Sequence, residues 1–179
     1  MEFREFDLDK CYTKFMVKSK KQIPTAYIIC GFIGAGKSTF ARKLESETKA
    51  IRITKDEWMV KIFGNKITSD ENFAKYDKHV TELATEIAFK ILKSGRDVII
   101  DEGFWVKSQR DKLKEQVVKA PAKWILYYVE TPLDQMRERV ASRSKNPGKD
   151  SFKISEEMFE SYVKFWEPPL KEENYILAR

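Results

Sequence analysis

Eight residues near the start of the chain have the composition and spacing of a phosphate-binding loop. Residues 31–38 read GFIGAGKS and match the Walker A pattern G-x-x-x-x-G-K-[ST] in full. The glycines let the backbone curl so that successive N–H groups point at one anion. Lys37 would supply a mobile positive charge for the outer phosphates, and the Ser38 hydroxyl is suited to Mg²⁺ coordination. The motif therefore predicts a site for ATP with its magnesium ion.

The phosphate contacts are expected from the whole loop and from the first turn of the helix that follows it. A helix that begins near Lys37 would direct the positive end of its dipole at the phosphates. A short apolar strand, residues 25–31, precedes the loop, and a helix over residues 38–48 is predicted after it. The predicted nucleotide-binding residues are Gly31, Gly34, Ala35, Gly36, Lys37, Ser38 and Thr39.

Two acidic residues follow predicted strands and could complete a site for phosphoryl transfer, which needs a metal-side acid and an acceptor-side base. Asp101 follows the apolar run 97–100, so its carboxylate is expected at the carboxyl edge of the sheet, as a magnesium ligand. Its alternative role is that of a helix-capping or loop acid. Asp56 follows the predicted strand 50–54 and could accept the proton of an acceptor hydroxyl. It could instead cap a helix that starts near Trp58.

An arginine-rich segment, RERVASR over residues 137–143, precedes a Pro-Gly loop at 146–150. On a helix, Arg139 and Arg143 are four positions apart and share a face, whereas Arg137 is displaced from it. Such arginines could close over the phosphates as a lid and stabilise the negative charge that develops during transfer. A solvated helix face is the alternative. The predicted catalytic residues are thus Lys37, Asp56, Arg139 and Arg143.

The elements that must position these side chains alternate between strand and helix along the chain. Further strands are predicted at 123–129 and 175–177, and the longer helices begin near Phe73, at Lys107, after Pro132 and at Ser155. This order predicts an α/β, three-layer P-loop NTPase fold with a mainly parallel sheet of about five strands and a small helical lid. Without an internal repeat or linker, residues 23–179 are expected to form one domain after an extension over residues 1–22.

The composition is that of an ordinary globular protein, with 42% hydrophobic and 35% charged residues in 179. We expect a cytoplasmic protein without a membrane partner, because the sequence has neither a long apolar span nor an apolar signal core. The two cysteines show no metal-binding spacing. The net charge of +6 favours anionic ligands, but a lysine-rich solvated surface gives the same excess, so a nucleic-acid partner is possible and not favoured.

Taken together, the motifs resemble those of small bacterial ATP-binding P-loop proteins, in the group of zeta toxins, chloramphenicol phosphotransferase and the kinase domain of polynucleotide kinase. The resemblance covers about residues 25–168. It is carried by the loop 31–39, by TKDEWM at 54–59, by the strand 97–101 with Gly103-Phe104-Trp105, and by the arginine-rich segment.

In this group the acid after the second strand is the hydroxyl-side base, which implies that role for Asp56. Lys37 and Ser38 match the loop lysine and serine, and Arg139 and Arg143 correspond to lid arginines. One subset has an acid-Gly-Phe-Trp stretch followed by an arginine, here Arg110. Glu102 stands where that subset often has an apolar residue, and it adds a carboxylate whose role the resemblance does not define.

These observations predict a kinase: an ATP- and Mg²⁺-dependent transferase that moves the γ-phosphate to a hydroxyl group of a small molecule. The acceptor is not identified by the sequence. The alternatives are a nucleic-acid 5′-hydroxyl kinase and a non-catalytic ATP-binding regulator. A GTPase is not favoured, because residues 54–57 read TKDE and do not form the N/T-K-x-D guanine motif.

Overall fold

The computed structural model describes residues 23–69, 71–145 and 151–178, which are built around a parallel five-stranded sheet. Its strands are β1 Thr25–Cys30, β2 Ile51–Ile53, β3 Val98–Gly103, β4 Lys123–Val129 and β5 Tyr175–Ala178. The spatial order is β2-β3-β1-β4-β5, and every pair of neighbours is parallel. The sheet predicted from the sequence is confirmed. The predicted extension 1–22 and the Pro-Gly loop 146–150 lie outside the described residues.

Six helices in the described part of the chain flank the sheet. They are α1 Lys37–Thr48, α2 Lys55–Phe63, α3 Phe73–Lys93, α4 Lys107–Lys119, α5 Leu133–Lys145 and α6 Glu156–Val163. Two 3₁₀ turns, Ile67–Ser69 and Lys171–Glu173, complete the described elements. None of the helices in the described ranges is both long and apolar enough to cross a membrane.

Strand β1 is apolar throughout because helices cover both faces of the sheet. Ala26, Ile28 and Cys30 contribute to a core cluster that contains side chains of α3 and α4. Ile29 points to the opposite face and contributes to a second cluster that contains side chains of α1, α5 and α6. The alternation follows the two-residue period of a strand and confirms the three-layer architecture.

Among the element boundaries that differ from those predicted, two affect the placement of acids. Helix α2 begins at Lys55, not near Trp58, because Thr54 already has the extended backbone of an N-cap residue. Asp56 therefore lies in the first turn of α2 and does not cap it. Strand β3 continues past residue 100, because Asp101 pairs with Ile29 of β1. Asp101 is therefore a strand residue close to the carboxyl edge.

Candidate active site

The phosphate loop leaves the carboxyl end of β1, and two of its glycines are required by close packing. The Gly31 N–H donates to the carbonyl oxygen of Gly103 at 3.1 Å, and a Cβ at Gly31 would lie 2.8 Å from the carbonyl oxygen of Val129. Gly34 has a φ of +81°, and a Cβ there would lie 2.7 Å from the carbonyl oxygen of Met136. Neighbouring backbone on β4 and α5 therefore fixes the path of the loop.

Phe32 anchors the loop in the core. Its side chain is fully buried, and its ring lies 5.2 Å from Trp105, 5.3 Å from Phe159 and 5.6 Å from Trp166, centroid to centroid. Such tilted and edge-on pairs are favourable aromatic geometries. The loop is thus held by side chains from the segment after β3, from α6 and from the segment after α6.

The loop continues into α1, whose first residue is Lys37. Gly36 is the N-cap residue, with a φ of 101°, and Ser38 and Thr39 are exposed in the first turn. The Lys37 Nζ donates to the Phe32 carbonyl oxygen at 3.0 Å. Burial lowers the pKa of Lys37, while the nearby carboxylates of Asp101 and Asp56 oppose that shift. A positive charge with little solvation is therefore available at the helix N-terminus, where phosphates bind.

Asp101 lies beside the loop with an unsatisfied oxygen. It is 4% exposed, and its Oδ2 has no hydrogen-bond partner among the residues that the structure describes. The Arg52 Nη1 approaches that oxygen to 3.9 Å. Burial raises the pKa of Asp101, and Lys37, Ser38 and Arg52 oppose the rise.

These oxygen donors fit magnesium. Mg²⁺ prefers hard oxygen ligands and is held in nucleotide sites by one or two protein side chains together with phosphates and water. Ser38 and Asp101 provide a hydroxyl and a carboxylate of this kind, and both line the same cleft. Within residues 23–69, 71–145 and 151–178 there is no group of three or more His, Cys, Asp or Glu side chains able to hold a metal by themselves. The structure therefore suits an ion shared with a nucleotide.

Asp56 lies in the first turn of α2 and lines the same cleft as Lys37. Burial raises the pKa of the Asp56 carboxyl; the charges of Lys55 and Lys37 oppose the rise, and that of Asp101 adds to it. Lys55 is itself held by α3, where its Nζ donates to the Asp77 Oδ1 at 2.7 Å and to the Thr81 hydroxyl at 3.1 Å. A carboxylate with a raised pKa beside a phosphate-binding lysine is suited to accept a proton.

Glu102, whose role the sequence left undefined, extends the group of acids. Its Oε1 is buried and has no hydrogen-bond partner among the described residues. Burial raises the pKa of Glu102 to about 7; Lys55 opposes the rise, and Asp56, Asp77 and Asp101 add to it. Glu102 therefore belongs to the same electrostatic cluster as Asp56.

The arginine-rich segment forms α5, and two of its arginines reach the cleft. The Arg139 Nη1 donates to the Gly34 carbonyl oxygen at 3.3 Å, and Arg143 lines the cleft one turn further along. Arg137 points elsewhere, because its guanidinium is bound to Glu160 at 2.7 Å and to Asp134 at 2.8 Å. The structure thus separates Arg137 from the other two arginines, as the helical spacing predicts.

One cleft of about 1560 Å³ collects nearly all of the predicted site residues. The exception is Gly31, which is buried beneath the loop. The predicted residues that line the cleft are Gly34, Ala35, Gly36, Lys37, Ser38, Thr39, Asp56, Asp101, Arg139 and Arg143.

The sequence did not predict the partners that hold these residues in place. The Lys55–Asp77 pair joins residues 22 positions apart, which no local pattern reveals. Arg110 is fully buried and binds Glu173, 63 positions away. The spacing of Arg110 in the sequence could have indicated that it is buried, because Arg110 shares a helix face with the buried Leu113 and Val117. An arginine on an apolar face requires a buried acidic partner.

Comparison with known proteins places the fold in a defined group. Residues 27–169 match the family described as an AAA domain. No curated protein matches the sequence. Among solved structures, a protein from Chloroflexus aurantiacus J-10-fl that is provisionally assigned as a kinase has a TM-score of 0.65 and 22% identity, with 83% of each chain covered.

Two further solved structures have a similar fold. A chain of the Pnkp1/Rnl/Hen1 RNA repair complex has a TM-score of 0.63 and 25% identity; the match covers 82% of this chain and 46% of that one. A gluconokinase from Sinorhizobium meliloti 1021 has a TM-score of 0.59 and 18% identity, with 87% of this chain and 82% of that chain covered. The protein therefore has the P-loop fold of kinase-like, nucleotide-binding proteins, and the resemblance noted from the sequence is confirmed.

Proposed function

The chain belongs to the AAA domain family, and on that premise we propose that it is a kinase that transfers the γ-phosphate of ATP, with Mg²⁺, to a hydroxyl group of a small molecule. The observation that carries the proposal is the position of Asp56. Asp56 and Lys37 line the same cleft, and their charges act on each other's pKa. A base at this position is required for transfer to a hydroxyl, and not for ATP binding alone.

On the nucleotide side, the phosphates would be bound by backbone N–H groups of residues 34–39 and by Lys37. Arg139 already contacts the loop through the Gly34 carbonyl oxygen. Arg139 and Arg143 would turn toward the phosphates and stabilise the charge that develops on the transferred group. Ser38 and Asp101 would hold Mg²⁺, which when bound neutralises charge on the phosphate oxygens.

On the acceptor side, Asp56 would orient the hydroxyl and accept its proton. A bond forms between the acceptor oxygen and the γ-phosphorus while the bond from phosphorus to the ADP oxygen breaks, and ADP leaves with that electron pair. The products are ADP, a phosphate monoester and one proton, which passes from Asp56 to solvent. Burial, which raises the pKa of Asp56, makes the carboxylate a stronger base than an exposed aspartate.

A second function is supported by one comparison. The similarity to a chain of an RNA repair complex at 25% identity, together with a net charge of +6, favours a 5′-hydroxyl group of a nucleic acid as the alternative acceptor. A non-catalytic regulator would bind ATP and transfer no phosphate. The nucleic-acid kinase differs from a small-molecule kinase in its acceptor, and the regulator phosphorylates no acceptor.

The test is ATP consumption with Mg²⁺ in the presence of small hydroxyl compounds, nucleosides and 5′-hydroxyl oligonucleotides. Turnover that depends on a small acceptor and is lost in Lys37→Ala is the expected result. Turnover that depends only on the oligonucleotide would establish the nucleic-acid kinase. ATP binding without transfer to any acceptor would contradict both kinase functions and favour the regulator.

A further inference from the structure

The part of the cleft beyond Asp56 is acidic. We call this part the acceptor pocket and define it by Thr54, Lys55, Asp56, Asp77, Glu102, Phe104, Trp105 and Tyr162, all of which line the cleft. Three of these side chains are acids and one is a base. The base, Lys55, is already bound to Asp77 at 2.7 Å. Asp56 and Glu102 therefore give the pocket an excess of negative charge.

A buried hydroxyl in the same pocket has no partner. Thr54 is 5% exposed, and its Oγ1 makes no hydrogen bond within the described ranges. Thr54 is the N-cap residue of α2, yet its side chain makes no capping bond to the helix. Buried polar atoms are nearly always satisfied, because an unpaired one costs free energy. The free Oγ1 of Thr54 and the free Oε1 of Glu102 belong to residues that line the same cleft, and both atoms can accept hydrogen bonds from a ligand.

Aromatic rings form the remaining wall. The Trp105 and Tyr162 rings lie 5.3 Å apart, centroid to centroid, and Phe104 lies beside Trp105 in the segment after β3. Such rings cover hydrocarbon, and their electron-rich faces attract cations. These rings and the acids that line the same cleft favour the same kind of molecule, one with a carbon skeleton and a positive charge.

We infer that the acceptor is a hydroxyl compound that carries a protonated amine, and that Glu102 and Thr54 form the subsite for that amine. The assignment depends on the proposed function of the cleft, since it specifies the acceptor for the base Asp56. An ammonium group has three N–H donors, which would satisfy the Glu102 Oε1 and the Thr54 Oγ1 together. The chemical class is therefore that of amino alcohols and amino sugars.

The same charges disfavour other acceptors. A 5′-hydroxyl oligonucleotide would bring its first phosphodiester against Asp56 and Glu102, and like charges in a partly buried site repel. A neutral polyol could donate to Thr54 and Glu102 but would leave the excess negative charge uncompensated. A protonated amine would donate hydrogen bonds to the free oxygens of Thr54 and Glu102, and it would also compensate the negative charge of the pocket.

The test uses matched pairs that differ only in the amine: glucosamine with glucose, and 3-amino-1-propanol with 1,3-propanediol. Binding of each compound to the full chain is measured by ligand-observed NMR in the presence of Mg²⁺ and a non-hydrolysable ATP analogue. Transfer from ATP is measured separately, on the same compounds and on a 5′-hydroxyl oligonucleotide. Glu102→Gln and Thr54→Val are compared with Glu115→Gln, which replaces an exposed acid of α4 outside the cleft.

The amine member of each pair is expected to bind at least about 10-fold more tightly than its neutral partner, the usual effect of a charge-assisted hydrogen bond. Glu102→Gln should remove that preference, because it should weaken the binding of the amine much more than the binding of the neutral compound. Thr54→Val should weaken the preference, and Glu115→Gln should retain it. Equal binding within both pairs, no binding by either amine, or a preference that survives Glu102→Gln would overturn the inference.

The two assays separate this inference from the proposed function. Amine-selective binding without phosphate transfer would support the amine subsite and contradict the proposed kinase activity. Transfer to a neutral compound or to the oligonucleotide, with no preference for amines, would contradict the subsite and leave the phosphotransferase in place.

Discussion

The Arg110 guanidinium and the Glu173 carboxylate form a two-point ion pair in the interior of the protein. The Arg110 Nε donates to the Glu173 Oε2 at 2.7 Å, and its Nη2 donates to the Oε1 at 2.8 Å. The remaining nitrogen, Nη1, donates to the carbonyl oxygens of Phe104 and Glu167 at 2.9 and 3.0 Å. Arg110 therefore ties the segment after β3, which borders the acceptor pocket, to the chain that follows α6.

Replacing this arginine is expected to destabilise the fold. Arg110→Lys keeps the charge but loses the planar fork that serves Glu173 and the two carbonyl oxygens at once. Because the lost hydrogen bonds leave the buried Glu173 carboxylate and the two carbonyl oxygens incompletely paired, we expect a loss of about 1–3 kcal/mol in the free energy of unfolding, measured with urea. Arg96→Lys, at an exposed position after α3, is the control and should change stability by less than about 0.5 kcal/mol. Similar losses in the two variants would mean that the pair does not stabilise the protein.

The same ion pair is expected to make the free energy of unfolding fall as the pH is lowered. The Arg110 hydrogen bonds outweigh the effect of burial and lower the pKa of Glu173 from an ordinary value of 4.5 to about 2. The stabilisation is therefore complete above pH 4.5 and is lost as the pH falls from about 4.5 toward 2. In Glu173→Gln the free energy of unfolding should be lower and should fall less steeply over this range. Glu172→Gln, one residue earlier and exposed, should keep the wild-type slope; a wild-type slope in Glu173→Gln would refute the assignment.

Lys37 is expected to be essential for ATP binding. Lys37→Ala removes the mobile cation of the phosphate loop, and the resulting loss of charge-assisted hydrogen bonds should raise the Kd for Mg²⁺-ATP by at least about 10-fold. Calorimetric titration measures this change, with the exposed Lys93→Ala as the control. Unchanged affinity and turnover in Lys37→Ala would remove the basis for placing ATP on this loop.

Replacement of Asp56 is expected to slow phosphate transfer without weakening ATP binding. Asp56→Asn keeps the size of the side chain and removes the base, so kcat for transfer should fall by about 10²–10⁴-fold while ATP affinity is retained. Glu57→Gln is the matched control, because Glu57 is bound to Arg52 at 3.0 Å and to Arg42 at 2.9 Å and is not assigned to the reaction. If Asp56→Asn loses ATP affinity and transfer to the same extent, Asp56 has a structural role.

The fold could be predicted from the sequence because local patterns determine most of its elements. Strand β4 has the predicted bounds, and α3 and α4 begin at Phe73 and Lys107 as predicted. The start of α2 was predicted too late, although Thr54 and Glu57 have the spacing of a capping box. In the structure Thr54 makes no capping bond, and Glu57 is bound to Arg52 and Arg42. Local signals fail where the backbone conformation is set by neighbours distant in the sequence.

The candidate site could be predicted where its residues come directly after the ends of strands. Residues 31–39, Asp56 and Asp101 could be placed at one edge of the sheet because parallel strands bring their carboxyl ends together. Two other features could not be predicted: the ion pair of Arg110 with Glu173, and the acidic pocket around Glu102. Both depend on packing between segments that are far apart in the sequence.

The contact between Trp105 and Phe32 has a practical consequence. The indole ring packs against the phosphate loop 5.2 Å from the phenyl ring, and it also borders the cleft. Trp166 packs on the same phenyl ring at 5.6 Å. Two intrinsic fluorophores therefore sense the position of the loop directly, and occupancy of the nucleotide site can be followed by tryptophan emission without attaching a dye.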